Sequence, residues 1–180
     1  MSETPNMPET PDIPETLGFA VMTVSDTRTV ETDQTGPWLR EAITADGHAI
    51  VDHAITPDDV DAIQAQMRAW IDDPRIHAII STGGTGITGR DVTPEAVRPL
   101  FDKEIDGFAV VFHQISFQSV GVSTLQSRAC GGIAGGTYIF AVPGSKGGCK
   151  DAWNQVLRHE FDRTHKPCNL VELIPRLTER

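Results

Sequence analysis

Short apolar runs alternate with amphipathic segments along most of the chain, and this alternation restricts the possible folds more than any other feature. Four apolar runs predict buried strands: 17–25, 48–56, 76–82 and 137–144. Three segments with apolar residues at helical spacing predict helices: 36–47, 60–71 and 149–161. Strands that alternate with helices form βαβ crossovers, which favour parallel pairing. The pattern therefore predicts an α/β fold, a three-layer αβα sandwich with a mostly parallel central sheet.

The first residues differ from the rest of the chain. Between Ser2 and Thr16 a proline recurs at every third position among acidic residues, a composition that favours extended conformations and cannot bury a core. The remaining length suits one well-cored domain. We therefore predict a disordered leader over 1–16, a single domain over 17–170 and a C-terminal tail over 171–180.

The composition excludes several classes of partner. The chain has 15 Lys and Arg against 25 Asp and Glu, for a net charge of −10, which argues against a nucleic-acid surface or an anionic membrane. Cys130, Cys149 and Cys168 stand far apart without a C-x-x-C pair, so neither a disulfide framework nor a zinc knuckle is indicated. No signal-peptide core and no stretch of membrane-spanning length is expected. A cytoplasmic protein is predicted.

A glycine-rich loop follows the predicted strand 76–82. In parallel sheets ligands bind beyond the carboxyl ends of the strands, so the strand exits at 25–26, 82–86 and 143–145 matter most. Glycines expose consecutive N–H groups and allow a phosphate to approach without a Cβ in the way. Thr93, Pro94 and Glu95 then resemble an N-cap, a first-turn proline and a first-turn acid of a new helix. The loop is predicted to hold phosphate or a similar anion.

Two common phosphate-binding motifs match this loop only in part. The letters from Gly84 to Asp91 follow the P-loop pattern, but a carboxylate replaces the hydroxyl that binds magnesium, so we reject that motif. The spacing of Gly84, Gly86 and Gly89 fits a dinucleotide fingerprint, yet it follows the third strand, and Pro94 delays the helix. A nicotinamide-dependent oxidoreductase is therefore an open but disfavoured alternative.

The segments ISTGGTGITGRDVTPEAV, TVSD, DGF followed by QSRA, and VPGS together resemble the molybdenum cofactor biosynthesis protein B and molybdopterin adenylyltransferase family. This domain also occurs in gephyrin and in molybdopterin molybdotransferases. The resemblance extends from about Phe19 to Asn169, and the GGTG and RDVTPE block is its most specific part. The tract from Ile105 to Gly132 is similar to the protein B branch in particular.

The resemblance implies an activity and an assembly. The implied reaction is adenylylation of molybdopterin by ATP with Mg²⁺, which gives adenylyl-molybdopterin and pyrophosphate. The implied partners are molybdopterin, ATP, other molybdenum cofactor biosynthesis proteins and further copies of the chain, as a trimer or hexamer. Molybdenum and tungsten both remain open as the eventual metal. A transfer between phosphate-bearing substrates needs mainly alignment and charge neutralisation, which amides, a metal and a few cations supply.

The resemblance also assigns roles to two acids. Asp91 and Asp58 match the family's two functional aspartates, and both are expected to bind Mg²⁺ or to position the ATP phosphates, because hard oxygen ligands suit magnesium. From the residues alone a second interpretation stays open, in which Asp58 or Asp59 caps the helix that follows.

The remaining candidates are predicted to bind substrate. The main chain of the glycine loop would contact phosphate, the turn after the last strand would receive the pterin or its phosphate, and nearby cations would supply positive charge. The candidates are Ser25, Asp26, Thr82, Gly83, Gly84, Thr85, Gly86, Arg90, Thr93, Ser127, Arg128, Pro143, Gly144, Ser145 and Lys146. Phe108, Phe112, Ile115, Phe117, Trp70 and Trp153 are predicted to lie in the core or a subunit interface, and Cys130 to be a small buried hydrophobe. A molybdopterin-binding scaffold or carrier without chemistry is the alternative function.

Overall fold

A computed structural model describes residues 13–179 of the chain. Its sheet has six strands in the order β2-β1-β3-β6-β5-β4. The strands are β1 (Gly18–Val24), β2 (Ala49–Thr56), β3 (Ala78–Thr82), β4 (Lys103–Glu104), β5 (Cys130–Ala134) and β6 (Thr137–Val142). The four predicted strands are the parallel part of this sheet, whereas β4 and β5 are antiparallel additions at one edge.

Helices cover both faces of the sheet. They are α1 (Thr35–Ala45), α2 (Val60–Ile71), α3 (Thr93–Val97), α4 (Asp106–Val120), α5 (Lys146–Ala152) and α6 (Arg158–Glu160). A π-helical segment, Trp153–Leu157, joins α5 to α6, so the predicted last helix is one continuous element that starts three residues earlier than expected. Side chains of α1, α4 and α5 pack on one face of the sheet and those of α2 and α3 on the other. The predicted three-layer αβα sandwich is confirmed.

Alternate side chains of the parallel strands fill two separate cores. Phe19, Val21 and Phe140 belong to one core, and Ala20, Met22 and Ile139 belong to the other. Both sets are buried because successive side chains of a strand point to opposite faces and helices cover each face. The predicted core residues Trp70, Phe108, Phe112 and Trp153 are buried, as is Cys130, whereas Phe117 is exposed.

Helix α4 continues into a 3₁₀ segment, Gly121–Gln126. Together they form the one helix, among residues 13–179, that is long and apolar enough to cross a membrane by length and composition, with mean hydropathy 1.2 over 18 residues. The prediction that no stretch approaches that length is therefore wrong. A single helix of this kind is weak evidence for a membrane span, and 17% of that window is buried in the fold.

The two ends of the chain relate differently to the predicted boundaries. Most of the predicted leader, residues 1–12, lies outside the described residues. After residue 170 the chain forms a 3₁₀ segment, Val171–Arg176, whose Val171 is buried in the core while Ile174 and Leu177 pack against it. These three residues pack with the core of the domain, and the division at residue 170 stays a prediction.

Candidate functional site

Strand pairing brings the predicted strand exits to one edge of the sheet. Val24 pairs with Thr56, and Thr82 pairs with both Thr23 and Val142, so the carboxyl ends of β2, β1, β3 and β6 lie side by side. Two hydrogen bonds tie the exits together. The Ser25 amide donates to the Thr56 carbonyl at 2.9 Å, and the Thr82 hydroxyl donates to the Pro143 carbonyl at 2.8 Å.

Two adjoining pockets open at this edge. The first, of about 390 Å³, is called the acidic pocket and is lined by Thr23, Val24, Ser25, Thr27, Arg28, Thr35, Asp58, Thr82, Gly83, Gly84, Arg90, Asp91, Gly144 and Ser145. The second, of about 410 Å³, is called the serine pocket and is lined by Gly84, Thr85, Gly86, Asp91, Ser116, Val120, Ser123, Thr124, Gln126, Ser127, Pro143, Gly144, Ser145, Gly148 and Asp151. Gly84, Asp91, Gly144 and Ser145 border both, so the pockets meet along the glycine loop and the turn after β6.

Four predicted substrate-binding residues line neither pocket. Asp26 lies beside the acidic pocket, bonded to Asp58 and Arg90. Thr93 is fully buried beneath the glycine loop, Lys146 is exposed at the start of α5, and Arg128 lies behind the loop. All other predicted site residues border at least one of the two pockets.

The amides of the glycine loop are free only in part. The Gly83 amide donates to the Val142 carbonyl at 3.1 Å and extends the sheet, so the prediction that this amide binds phosphate needs correction. The Gly84 and Thr85 amides donate to no acceptor within residues 13–179. These two amides are the loop's available donors for an anionic ligand.

The loop is held from below by Thr93. Its hydroxyl donates to the Gly83 carbonyl at 2.8 Å, and its amide donates to the Gly84 carbonyl at 3.0 Å. The N-cap position of α3 belongs to Val92 and has no side-chain cap, so the prediction that Thr93 caps this helix is wrong. Thr93 instead donates to the Gly83 and Gly84 carbonyls. Since these carbonyls are paired, the Gly84 and Thr85 amides are the main-chain groups here that still lack a partner within residues 13–179.

Glycine is required where the loop passes the acids. Gly84 has φ of +63°, and a Cβ built there would lie 2.9 Å from Oδ1 of Asp58. At the neighbouring turn, a Cβ on Gly144 would lie 3.0 Å from Cα of Gly83. Main chain, carboxylate and turn therefore approach one another with no side chain between them.

Asp91 is held as an anion by its own turn. Its Oδ2 accepts hydrogen bonds from the amide and the hydroxyl of Thr88, at 2.9 and 2.6 Å. Burial by itself would raise the pKa of Asp91, but these bonds, the Gly86 amide and nearby Arg128 outweigh it, so the pKa lies below the usual value. Asp91 is ionised at neutral pH.

Asp58 has the opposite character. Burial and then the adjacent charge of Asp26 raise the pKa of its carboxyl, with a smaller contribution from Asp91. The helix cap is Asp59, whose side chain accepts from the Ala62 amide at 2.8 Å. The open question of which aspartate caps α2 is thereby answered, and Asp58 is left facing the acidic pocket.

Arg128 uses its donors within the protein. Its Nε donates to the Gly86 carbonyl and its Nη2 to the Asp91 carbonyl, both at 2.7 Å, while Nη1 pairs with Glu95. This fork ties the second half of the glycine loop to the start of α3. These contacts favour support of the loop over direct contact with substrate.

Asp58 and Asp91 have the chemistry to bind a divalent cation together with the phosphates of a substrate. Among residues 13–179 no three His, Cys, Asp or Glu side chains converge as a complete metal cage. Magnesium is typically held by one or two carboxylates together with substrate phosphates and water. Asp58, whose charge is disfavoured by its acidic neighbours, has the chemistry of such a ligand, and Asp91 borders the same pocket.

Several pocket residues escaped the sequence predictions. Thr23, Thr27, Arg28 and Thr35 line the acidic pocket, and Ser116, Ser123, Thr124 and Gln126 line the serine pocket. One signal could have found the first group. Asp33 accepts from the Thr23 hydroxyl at 2.7 Å and from the Thr35 amide at 3.0 Å, and an acid three residues before the predicted start of a helix at Gly36 is a capping pattern.

This fold and site define a class: α/β proteins with a glycine-loop ligand site at the carboxyl edge of a mostly parallel sheet. Residues 20–163 match the family model described as "Probable molybdopterin binding domain". The chain is 45% identical over 150 residues to molybdenum cofactor biosynthesis protein B of Escherichia coli (strain K12), which covers 83% of this chain and 88% of that protein. The chain belongs to this molybdenum cofactor biosynthesis family, which confirms the resemblance seen in the sequence.

Solved structures agree with this assignment. A crystal structure of a molybdenum cofactor biosynthesis protein B superposes with a TM-score of 0.83 at 36% identity, over 94% of this chain and all of the other. The tungsten cofactor synthesizing protein MoaB from Pyrococcus furiosus gives a TM-score of 0.72 at 34% identity, over 79% of this chain and 91% of that one.

Proposed function

We propose that the protein is a molybdopterin adenylyltransferase that uses ATP and Mg²⁺. In the proposed reaction a phosphate oxygen of molybdopterin attacks the α-phosphorus of ATP. The bond between that phosphorus and the bridging oxygen breaks, and pyrophosphate leaves with the electron pair. The observation that carries the proposal is the meeting of two pockets at Gly84 and Asp91, because a transfer between two substrates requires two sites that share a boundary.

The residues at that boundary suit such a transfer. The Gly84 and Thr85 amides are donors for phosphate oxygens, and the rigid loop positions them before the substrates arrive. Asp58 and Asp91 are the residues that would hold Mg²⁺, and the metal would neutralise charge on the phosphates. Without a cation these carboxylates would repel a polyphosphate, which is why acids at this place favour a metal-dependent reaction.

The test is pyrophosphate release from ATP in the presence of molybdopterin and Mg²⁺. We expect Asp91→Asn to slow release by about 100-fold or more, the scale of losing one essential electrostatic group in an active site. Asn keeps the size and the bonds from Thr88, so the fold should survive. Asp73 is a partly buried acid before β3 that lines neither pocket, so Asp73→Asn is the matched control and should leave the rate unchanged.

Other outcomes would identify other functions. Tight molybdopterin binding without pyrophosphate release would support a scaffold or carrier that exchanges the pterin with other proteins of the pathway. Fluorescence changes on titration with a nicotinamide cofactor would support an oxidoreductase. We expect no such changes, because Gly84, Gly86 and Gly89 follow β3, and the next helix begins only at Thr93.

We also propose that copies of the chain associate through the outer face of α4 and its 3₁₀ extension. One side of this helix packs on the core through Phe108 and Phe112, while Val110, Phe117 and Leu125 are 59%, 55% and 81% exposed. An apolar patch of this kind on an acidic protein is typical of a subunit interface. Light scattering should give a trimer or hexamer, and Phe117→Asp should shift the mass toward the monomer.

A further inference from the structure

Arg90 lies at the rim of the acidic pocket and holds an acid of that site. Its guanidinium donates to Oδ2 of Asp26 through Nε at 2.8 Å and also through Nη2. The Arg90 side chain is 68% exposed, so no packing restrains it in this position. An exposed ion pair of this kind contributes little to stability and can exchange partners readily.

The acid that Arg90 holds is one half of a pair. The Asp26 amide donates to Oδ2 of Asp58 at 3.1 Å, and the Asp58 amide donates to Oδ1 of Asp26 at 3.0 Å. These reciprocal bonds keep two carboxylates adjacent although their charges repel. Arg90 compensates for this repulsion, since its hydrogen bond lowers the pKa of Asp26 and its charge opposes the rise in the pKa of Asp58.

The negative charge of this pair also attracts a divalent cation. A metal ion held by Asp58 and Asp91 would lie next to Asp26, so it would compete with the guanidinium on Asp26 Oδ2 for the charge of the Asp26–Asp58 pair. Arg90 and Asp58 both line the pocket, so a guanidinium released from Asp26 stays within reach of a ligand there. Arginine suits this exchange because its planar fork binds carboxylate and phosphate equally well.

We infer that Arg90 is a resident counter-ion of the Asp26–Asp58 pair, that a divalent cation displaces it, and that the released guanidinium then binds the polyphosphate of the nucleotide. This inference rests on the proposed function for the identity of the metal and the phosphate. Beyond the proposed function, the inference adds an exchange of cations at that site. In the metal-free protein the Arg90 guanidinium supplies the positive charge that the metal would otherwise supply.

The experiment measures metal binding alone, with Mn²⁺ as the probe and no nucleotide or pterin. Electron paramagnetic resonance of free Mn²⁺ gives the dissociation constant for the wild type, Arg90→Gln and Arg75→Gln. Arg75 is the matched control, because its guanidinium is similarly exposed and pairs with Asp73 before the other end of β3. We expect Arg90→Gln to bind Mn²⁺ about three- to tenfold more tightly than the wild type, and Arg75→Gln to match the wild type.

A second measurement tests the other half of the exchange. Calorimetry with pyrophosphate at saturating Mn²⁺, where the exchange has freed the guanidinium, should show binding weakened several-fold in Arg90→Gln and retained in Arg90→Lys, which keeps the charge; equal affinity in Arg90→Gln and the wild type would overturn this half of the inference. Unchanged or weaker Mn²⁺ binding in Arg90→Gln, an equal shift in Arg75→Gln, or no Mn²⁺ binding by the wild type would overturn the inference.

The two proposals fail in distinguishable ways. If pyrophosphate release from ATP is absent while the Mn²⁺ difference is present, the adenylyltransferase proposal is lost and the role of Arg90 stands. If release is normal while Arg90→Gln leaves Mn²⁺ affinity unchanged, the enzyme stands and the exchange is lost.

Discussion

The carboxyl and amino ends of the parallel strands, called the carboxyl edge and the amino edge, each border a cavity of similar size, but the polar groups of the two cavities differ in how many have partners. At the carboxyl edge is the acidic pocket of about 390 Å³, and at the amino edge is a cavity of about 350 Å³, called the amino-edge cavity, lined in part by Leu17, Asp46, Gly47, His48 and Arg158. In the amino-edge cavity Asp46 accepts from Trp153 Nε1 and from Arg158, both at 2.9 Å. The charge of Asp46 is thus paired within the protein, and His48 Nδ1 is a buried atom of this cavity without a hydrogen-bond partner among residues 13–179.

At the carboxyl edge some polar groups have no partner within the described part of the chain. Within the described chain the Gly84 and Thr85 amides have no acceptor, and Asp58 keeps a carboxyl whose ionisation is opposed by burial and by Asp26. Cavity volume therefore does not distinguish the two edges, whereas main-chain amides without an acceptor and an acid with a raised pKa do. A ligand has more to gain at the carboxyl edge.

The largest expected effect comes from adding one methyl group to a glycine at each edge. Gly84→Ala forces a Cβ against Thr93 and Asp58 at φ of +63°, so we expect activity to fall by about 100-fold or more, because small displacements of positioning groups are costly. Gly47→Ala has φ of +90° but meets no atom within 4 Å. It should cost about 1–3 kcal/mol of stability from backbone strain alone, with normal activity.

Thermal unfolding and pyrophosphate release together check this pair of variants. Gly84→Ala should lose stability as well as activity, because the added Cβ has no space. Equal activity in the two variants would show that the glycine loop is not the site, and the contrast between the edges would disappear.

A smaller effect is expected from the arginine at each edge. Arg128→Ala removes the fork that holds Gly86 and Asp91, and we expect kcat/KM to fall about 10- to 100-fold and stability by about 1–3 kcal/mol, since partly buried carbonyls lose their donors. Arg158→Ala breaks an exposed pair with Asp46, which should cost about 1 kcal/mol or less and leave activity unchanged.

The kinetic pattern tests whether Arg128 supports the loop or binds substrate. Loss of loop support should lower kcat at saturating ATP and molybdopterin. A change confined to KM in Arg128→Ala would instead assign Arg128 to substrate binding, as the sequence predicted.

The smallest expected effect is a difference in how the two edges respond to pH. Asp58 has a raised pKa in the folded state, so its neutral form favours folding below the unfolded value of 3.8, and this contribution is lost as pH rises through the folded pKa. Asp58→Asn should therefore raise Tm at pH 7 by about 1–2 °C. The gain should vanish below the unfolded pKa.

His48 at the amino edge should show the reverse dependence. Burial lowers its pKa below the ordinary 6.5, so the neutral ring is present in the folded protein at neutral pH, and stability is lost as pH falls from 6.5 through the folded pKa. His48→Gln should remove this loss. Melting curves from pH 3 to 8 on both variants check the two signs, and a lower Tm of Asp58→Asn than of the wild type at pH 7 would contradict the raised pKa.

Local pattern was sufficient for the parallel half of the fold. The runs that form β1, β2, β3 and β6 are apolar because helices cover both faces, and Val60–Ile71 was predicted with the bounds that the structure shows. The antiparallel edge was missed. Strand β5 is rich in glycine and shows no alternation, although the turn Gly135–Gly136, with positive φ at both residues, carries the signature of a two-residue hairpin.

Helix α4 was missed for a different reason. It is apolar on its outer face as well as its inner face, so the one-sided pattern that identifies a surface helix is absent. That outer face is the surface through which we propose that copies associate. The proposed association would account for its apolar character, and a single segment of sequence does not show such a contact.

Sequence alone determined which residues leave the parallel strands, because strand exits follow directly from the order of apolar runs, and the glycines and acids of the site stand at those exits. The tertiary structure decided which of these groups are free. The Gly83 amide donates to the Val142 carbonyl, the Arg128 guanidinium donates to the glycine loop, and Asp58 keeps a raised pKa beside Asp26. Hydrogen-bond satisfaction depends on partners far apart in the chain, so it is settled only when the strands pair and the loops pack.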